Sequence, residues 1–261
     1  MDVMSKGDFL SLMCFDESFC EAAAECGQKS FIIMAGAFDG CKVKSEKLSY
    51  EGPFGVGYGV CSFRNEGRDD ERCFLEKYKG IHNEKMSGIK KDEDEYVRLA
   101  RESLESYIKN KKKIEVPDGA SRGLTERRAG AFVSLKKDGN LRGCIGTIGP
   151  TKDSLALEII ENAISAAVRD PRFQPVREDE LQDLVYSVDV LSEPEDIESE
   201  DELDVKKYGV IVTARGKRGL LLPNLEGVDT VRDQINIAKQ KAGIEEYEPV
   251  EMQRFQVVRH R

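Results

Sequence analysis

Apolar positions recur with helical spacing in the second half of the chain and far less regularly in the first. Over residues 92–113, Tyr96, Ala100, Leu104, Tyr107 and Ile108 form one stripe, with acidic residues in the first turn and lysines in the last, which predicts an amphipathic helix. Residues 151–168 repeat that spacing at Leu155, Ile159, Ile160, Ala163, Ile164 and Ala167 and stop at Asp170-Pro171; residues 229–242 repeat it at Val231, Ile235, Ala238 and Ala242 and stop at Gly243. Residues 130–135 and 141–148 bracket an Asp138-Gly139 turn, a hairpin signal, and residues 208–213 and 219–222 flank a second turn at Arg215-Gly216-Lys217-Arg218. Residues 185–191 and 252–258 read as single strands. The acidic stretch 193–204 lacks the alternating ligands and central glycine of a calcium loop and reads as solvated. These elements predict an α+β fold, with hairpins and helices around one sheet.

The first eighty residues read as a small α/β fragment. Residues 15–27 are helix-like, with Asp16 as cap and Gly27 as stop; the apolar run 31–38 predicts one buried strand. Residues 48–60 mix aromatics with Gly55, Gly57 and Gly59, but Val60 stands where a dinucleotide loop needs its third glycine, so a twisted, closely packed strand is expected. Such a segment buries too little apolar area to be comfortably stable alone and is expected to pack on the rest of the chain or on a partner. The polar, aperiodic residues 79–91 make the best linker, with a boundary near residue 85. The division is therefore 1–80, a linker at 81–91, and 92–261.

Composition narrows the function classes. No apolar run reaches membrane-spanning length, and the first residues lack the basic and apolar regions of a signal peptide, so a cytoplasmic location is expected. Lys and Arg total 40 against 49 Asp and Glu, a net charge of -9, which disfavours broad binding to nucleic acid or anionic membranes. The basic clusters at Arg122, Arg127 and Arg128, at Lys136 and Lys137, and at Arg215, Lys217 and Arg218 have no interleaved aromatics and read as solvated surface. The seven cysteines are irregularly spaced, none as C-x-x-C, and six precede residue 80; reduced, small buried hydrophobes are expected. With two histidines, His82 and His260, the chain offers no complete metal site, and the residues name no cofactor.

Chemistry concentrates at Leu141-Arg142-Gly143-Cys144-Ile145-Gly146-Thr147. In an extended strand the period of two puts Leu141, Gly143 and Ile145 on a core face, and Arg142, Cys144 and Gly146 on the other. A guanidinium beside a thiol favours the thiolate, so Cys144 and Arg142 are the candidate catalytic or ligand-binding pair. The alternative is a lone inert cysteine, since no histidine lies near in sequence. Arg169-Asp170-Pro171-Arg172-Phe173 offers Arg169 or Arg172 as an anion clamp or as neutralisers of a helix end. Pro223-Asn224 is a polar turn at a strand end. The segments 144–147, 169–173 and 217–224 are expected to converge on one cleft, adding Gly143, Gly146, Thr147, Arg169, Arg172, Lys217 and Asn224 as ligand-binding candidates.

Residues 92–261, with RAGAFVSLKKDGNLRGCIGT, AVRDPRFQPV, KYGVIVTARGKRGLLLPNLEGV and RFQVVRH, resemble the AMMECR domain family, for which LRGCIGT is specific. The resemblance implies an α+β fold of a larger and a smaller subdomain with the motif near the cleft between them; it carries no reaction. Residues 8–63, with AECGQKSFIIMAGAFDG and LSYEGPFGVGYGV, resemble the C-terminal end of a Memo-like, class III extradiol dioxygenase-type domain. The arrangement is similar to the AmmeMemoRadiSam system, which implies a Memo-like protein and a radical-SAM protein as partners. The metal-binding part of a Memo-like domain is not matched here, and no histidine occurs up to residue 80, so dioxygenase activity is not expected of this chain by itself.

The reading is a cytoplasmic accessory or small-molecule-binding component of a redox or radical-SAM-associated system, using a cleft near Arg142 and Cys144. The alternative is an enzyme, either thiol-dependent at Cys144 or a dioxygenase completed by a separate Memo-like chain. A nucleic-acid-binding regulator is a weaker third.

Overall fold

The computed structural model describes residues 1–15, 17–24 and 27–261 and divides into two units, Met1–Ile89 and Lys90–Arg261. Unit 1 begins with four short helices, α1 (Asp2–Lys6), α2 (Phe9–Met13), α3 (Glu17–Ala22) and α4 (Gln28–Gly36). A long hairpin follows, β1 (Cys41–Glu51) and β2 (Tyr58–Arg68), and then α5 (Phe74–Asp92). Its core is small and aromatic: the Phe9 ring meets Phe38, Phe63 and Phe74 at centroid distances of 5.3 to 5.9 Å, with Met4, Leu12 and Ala35 beside it.

Three expectations for this unit are corrected. Residues 31–38 belong largely to helix α4, not to a strand. An eight-residue apolar run has no period that separates the two, and in the helix only Ala35 is buried. Residues 48–60 are not one strand but the tip of the β1–β2 hairpin, because Pro53 has no amide to give a ladder and Gly55, at φ 79°, turns the chain. Residues 79–91 continue helix α5: Gly80 and Gly88 each cost about 1 kcal/mol, but the lysines, glutamate and methionine around them are good helix formers. Of the cysteines in this unit, Cys20 is buried, Cys41, Cys61 and Cys73 are half-buried, and Cys14 is exposed, so a core this small does not hold them all. Asp16 and Cys26 lie outside the described residues.

Unit 2 contains α6 (Glu95–Asn110), α7 (Arg122–Thr125), β3 (Ala131–Lys137), β4 (Asn140–Gly146), α8 (Leu155–Val168), β5 (Leu184–Leu191), β6 (Glu195–Ile197), β7 (Gly209–Ala214), β8 (Lys217–Leu221), α9 (Val231–Ala242), β9 (Glu251–Phe255) and β10 (Val257–His260). The α+β class stands. The single sheet is replaced by two antiparallel four-stranded ones, in the orders β10-β5-β3-β4 and β6-β9-β7-β8. The split arises at Gln256. Its amide and carbonyl bond to the Ser192 hydroxyl and amide, so the predicted strand 252–258 breaks into β9 in one sheet and β10 in the other. The acidic stretch 193–204 is mostly exposed but contributes the short edge strand β6.

Both halves of the unit use one device, a hairpin followed by a helix that covers it. In the larger half, α6 and α8 bury Ala131, Val133 and Leu135 of β3 together with Leu184, Tyr186, Val188 and Val190 of β5. In the smaller half, α9 packs on Val210, Val212, Ala214 and Leu221. The second strand of each hairpin runs against its helix through a glycine. A Cβ on Gly143 would lie 2.2 Å from the Ala166 carbonyl oxygen, and one on Gly219 would lie 2.1 Å from that of Ala238. The opposite faces of the two sheets meet through Phe132, Ile148, Leu191 and Val257 against Ile211, Leu220, Leu222 and Phe255. Ser154 and Thr230 cap α8 and α9, and Gly243 closes α9 in the left-handed conformation. Among the described residues no helix is long and apolar enough to cross a membrane.

Candidate functional site

Strand β4 alternates as expected over most of its length. Gly143 points at α8, while Cys144 lies on the far side of the sheet, opposite Ser134 of β3. Leu141 departs from the expected core set and is exposed, since it lies at the hairpin end beyond the irregularity between Leu135 and Lys136. The Cys144 sulfur is half-buried and accepts a hydrogen bond from the Ser134 hydroxyl at 3.2 Å.

Arg142 does not serve the sulfur. Its Nε and Nη2 donate to the two Glu180 carboxylate oxygens at 3.0 Å each, and its Nη1 donates to the Gln174 carbonyl at 2.9 Å. That geometry makes it a clamp tying β4 to the segment 174–180. The guanidinium hydrogen bonds hold the Glu180 carboxyl down at about 2.

Two other guanidinia lie in the same region, Arg172 at the edge of β4 and Arg259 on β10 of the same sheet. Arg172 donates through Nε and Nη2 to Asp170, at 2.9 and 2.7 Å, and through Nη2 to the Cys144 carbonyl at 3.3 Å. Arg259 of β10 donates through Nε and Nη2 to Asp189 of β5, at 2.7 and 2.8 Å. Both aspartates are buried, so each guanidinium is fixed in direction. Both arginine pKa values are raised, first by the aspartate hydrogen bond. Asp170 also accepts the Cys144 amide at 2.9 Å, so a single carboxylate positions both the strand and the arginine. The Arg172 bond leads the causes that hold Asp170 well below the usual carboxylate range.

The remaining candidates divide. Gly146 lies on the Cys144 face, where a Cβ would meet the Phe132 ring at 2.2 Å. Thr147 turns the other way, donating to buried Glu158 of α8, which also accepts from Thr151 and the Lys152 amide. Arg169 pairs with Glu161 and Ser165 along α8, the helix-end role. Lys217 donates to the Gly243 carbonyl at the end of α9, and Asn224 is an exposed turn residue whose amide bonds to the Val205 carbonyl. The structure therefore brings Cys144, Gly146 and Arg172 together and leaves Thr147, Arg169, Lys217 and Asn224 in other contacts. Lys217→Ala is expected to lower stability by only about 0.5 kcal/mol, the worth of an exposed cation at a helix C-terminus, as read by thermal melting.

Sequence reasoning missed Ser134, Asp170, Asp189 and Arg259 as site residues. Asp170 and Arg259 lie inside RDPRF and VVRH, where a charge beside an apolar strand or helix end was visible, but their partners were not. Among the described residues no group of three or more His, Cys, Asp or Glu is placed to hold a metal ion. Two open hollows lie elsewhere, of about 420 Å³ beside Lys90, Glu105 and Glu178, and about 340 Å³ beside Tyr208, Arg254 and Gln256. The face that carries Cys144 also carries Phe132, which packs against the second sheet.

A family model described as AMMECR1 matches residues 97–260. A protein of Clostridium acetobutylicum is 47% identical over 259 residues, 99% of this chain and 55% of that protein, so the chain spans about half of that relative's length. A protein of Thermotoga maritima is 56% identical over 171 residues, 65% of this chain and 98% of that protein. Among solved structures, an uncharacterised protein of Pyrococcus horikoshii is similar with a TM-score of 0.59 at 34% identity, over 63% of this chain and 88% of that one.

Proposed function

The chain belongs to the AMMECR1 family, and on that footing we propose that it binds a small anionic ligand, carboxylate or phosphate in character, beside half-buried Cys144. The observation that carries this reading is a half-buried thiol on a strand whose edge Arg172 meets at the Cys144 carbonyl, with Arg259 on β10 of the same sheet, each guanidinium held by its own buried aspartate through Nε and Nη2. Preorganised arginines of this kind recognise planar anions at low entropic cost. Binding is favoured over thiol catalysis because His260, the one histidine of unit 2, turns to Asp94 and stacks on Tyr96 at 3.9 Å. It stands next to Arg259 in β10 and so on the opposite face of that strand. The protein acts in this reading as a cytoplasmic accessory of a redox or radical-SAM-associated system, with a Memo-like protein and a radical-SAM protein as partners; that association rests on the resemblance of residues 8–63 and 92–261.

Alkylation measures the field at the sulfur directly. Iodoacetate carries the negative charge that the two arginines attract, whereas iodoacetamide is neutral. The rate ratio of the two reagents at Cys144, normalised to free N-acetylcysteine, is expected to favour iodoacetate by about twofold, because the aspartate paired with each guanidinium offsets most of its charge. Combining Arg172→Gln with Arg259→Gln is expected to bring the ratio below that of the free thiol, since both aspartates are then uncompensated. A wild-type ratio no higher than that of the free thiol overturns the reading.

A further inference from the structure

The β1–β2 hairpin is packed at its base and largely exposed at its tip, where the Met1 side chain lies over Gly59. Val43, Cys61 and Phe63 at the base join the unit 1 core. Beyond Lys47 the ladder continues, but Phe54 is fully exposed, and Leu48, Tyr50, Val56, Tyr58 and Val60 are each more than half exposed. The pairing register divides these side chains between both faces. Tyr50 lies opposite Gly59 on one, and Val60 opposite Ser49 and Tyr58 opposite Glu51 on the other. The sheet has two strands, so among the described residues both outer edges of the arm are also without a strand partner. A two-stranded ribbon with apolar side chains on both faces is marginal in water, and its edges are templates for a further strand.

The relatives indicate what covers it. In the Clostridium protein a match to 99% of this chain accounts for only 55% of the length, so unit 1 is accompanied there by nearly as much polypeptide again. The Thermotoga protein is matched over 98% of itself by 171 residues, which leaves no room for unit 1 beside a unit the size of unit 2. Unit 1 is thus present in a protein that carries the additional polypeptide and absent from one of single-unit length. We propose that the hairpin tip, residues 48–60, is a docking arm for a polypeptide of the kind that makes up the unmatched part of the longer relative. That polypeptide encloses both apolar faces and pairs with an outer edge of the ribbon.

Hydrogen exchange on the two intact proteins tests this without dissecting either. In this chain alone, amides of residues 48–60 are expected to exchange rapidly. At the aligned positions of the Clostridium protein they are expected to be protected by at least ~100-fold, the difference between a frayed ribbon and a covered one. Phe54→Asp combined with Val60→Lys is expected to leave the melting temperature of this chain unchanged. Placing Asp and Lys at the aligned positions of the longer protein is expected to lower its melting temperature by roughly 5 °C or more. Equal lack of protection in both proteins overturns the proposal. Protection of the tip in this chain by itself also overturns it, light scattering then assigning the cover to a second copy if the chain is dimeric or to its own remaining residues if it is monomeric. Should the paired substitution unfold this chain, the exchange comparison of the unmutated proteins still decides.

Discussion

Gly143→Ala is expected to destabilise unit 2 by about 3 kcal/mol, the upper end for forcing one methyl group into a packed interior, and Gly143→Val by more. The reason is the identity of the neighbour. The added Cβ lies 2.2 Å from a backbone oxygen of α8, which cannot swing aside as a side chain does. Relief requires moving the helix, and α8 carries Leu155, Ala156, Ile159, Ile160 and Ala163, all fully buried, into the main core. Moving α8 also pulls on Glu158, whose carboxylate holds Thr147, Thr151 and Lys152. Urea unfolding of Gly143→Ala beside Gly149→Ala reads the effect, since a Cβ at Gly149 meets nothing within 4 Å. A loss at Gly143 no larger than at Gly149 would falsify the packing argument. Gly219→Ala, against the Ala238 carbonyl, is the matching change in the smaller half.

Much of unit 2 was legible because its elements obey simple periods. The stripes of α6, α8 and α9 follow 3.6-residue spacing, and Asp138-Gly139, at φ 51° and 80°, supplies the left-handed turn its sequence announces. Alternation along residues 143–145 separates the α8 face from the Cys144 face. What failed needed partners remote in sequence. Arg142 stands two positions from Cys144, yet its carboxylate is Glu180, 38 residues on, and that pairing turns it away from the sulfur. Arg259 reaches the site because β10 lies beside β5, with Asp189 70 residues earlier as its anchor, and no local pattern reports that neighbourhood. The break at Gln256 is likewise not marked by any glycine or proline in 252–258; the bonds to Ser192 divide it. In unit 1 the apolar run 31–38 fell to the wrong element because length and composition allowed either.

Asp170→Asn is expected to cost about 2 to 4 kcal/mol at neutral pH, because its carboxylate is a buried acceptor for four donors. These are the Cys144 amide and, from Arg172, the backbone amide, Nε and Nη2. An asparagine keeps the shape but presents an N–H₂ group to an N–H donor on one side, and the bidentate arginine is lost. The pH dependence follows from the direction of the shift. The Arg172 hydrogen bond, followed by the two backbone amides, outweighs burial and holds the folded carboxyl below its unfolded value. Its stabilisation is therefore complete above the ordinary aspartate value of about 4 and is lost as pH falls through that value towards the lower folded one. The gap in urea midpoint between wild type and Asp170→Asn should stay level from pH 8 to about 5 and narrow below about 4. Glu180, lowered from 4.5 to about 2 by Arg142, loses its contribution over that interval in both proteins and so adds the same acid slope to each. A gap that stays constant down to pH 3 removes the assigned role of the carboxylate. The same substitution removes a negative charge beside Cys144 and leaves the Arg172 charge in place, so the iodoacetate preference at Cys144 should rise.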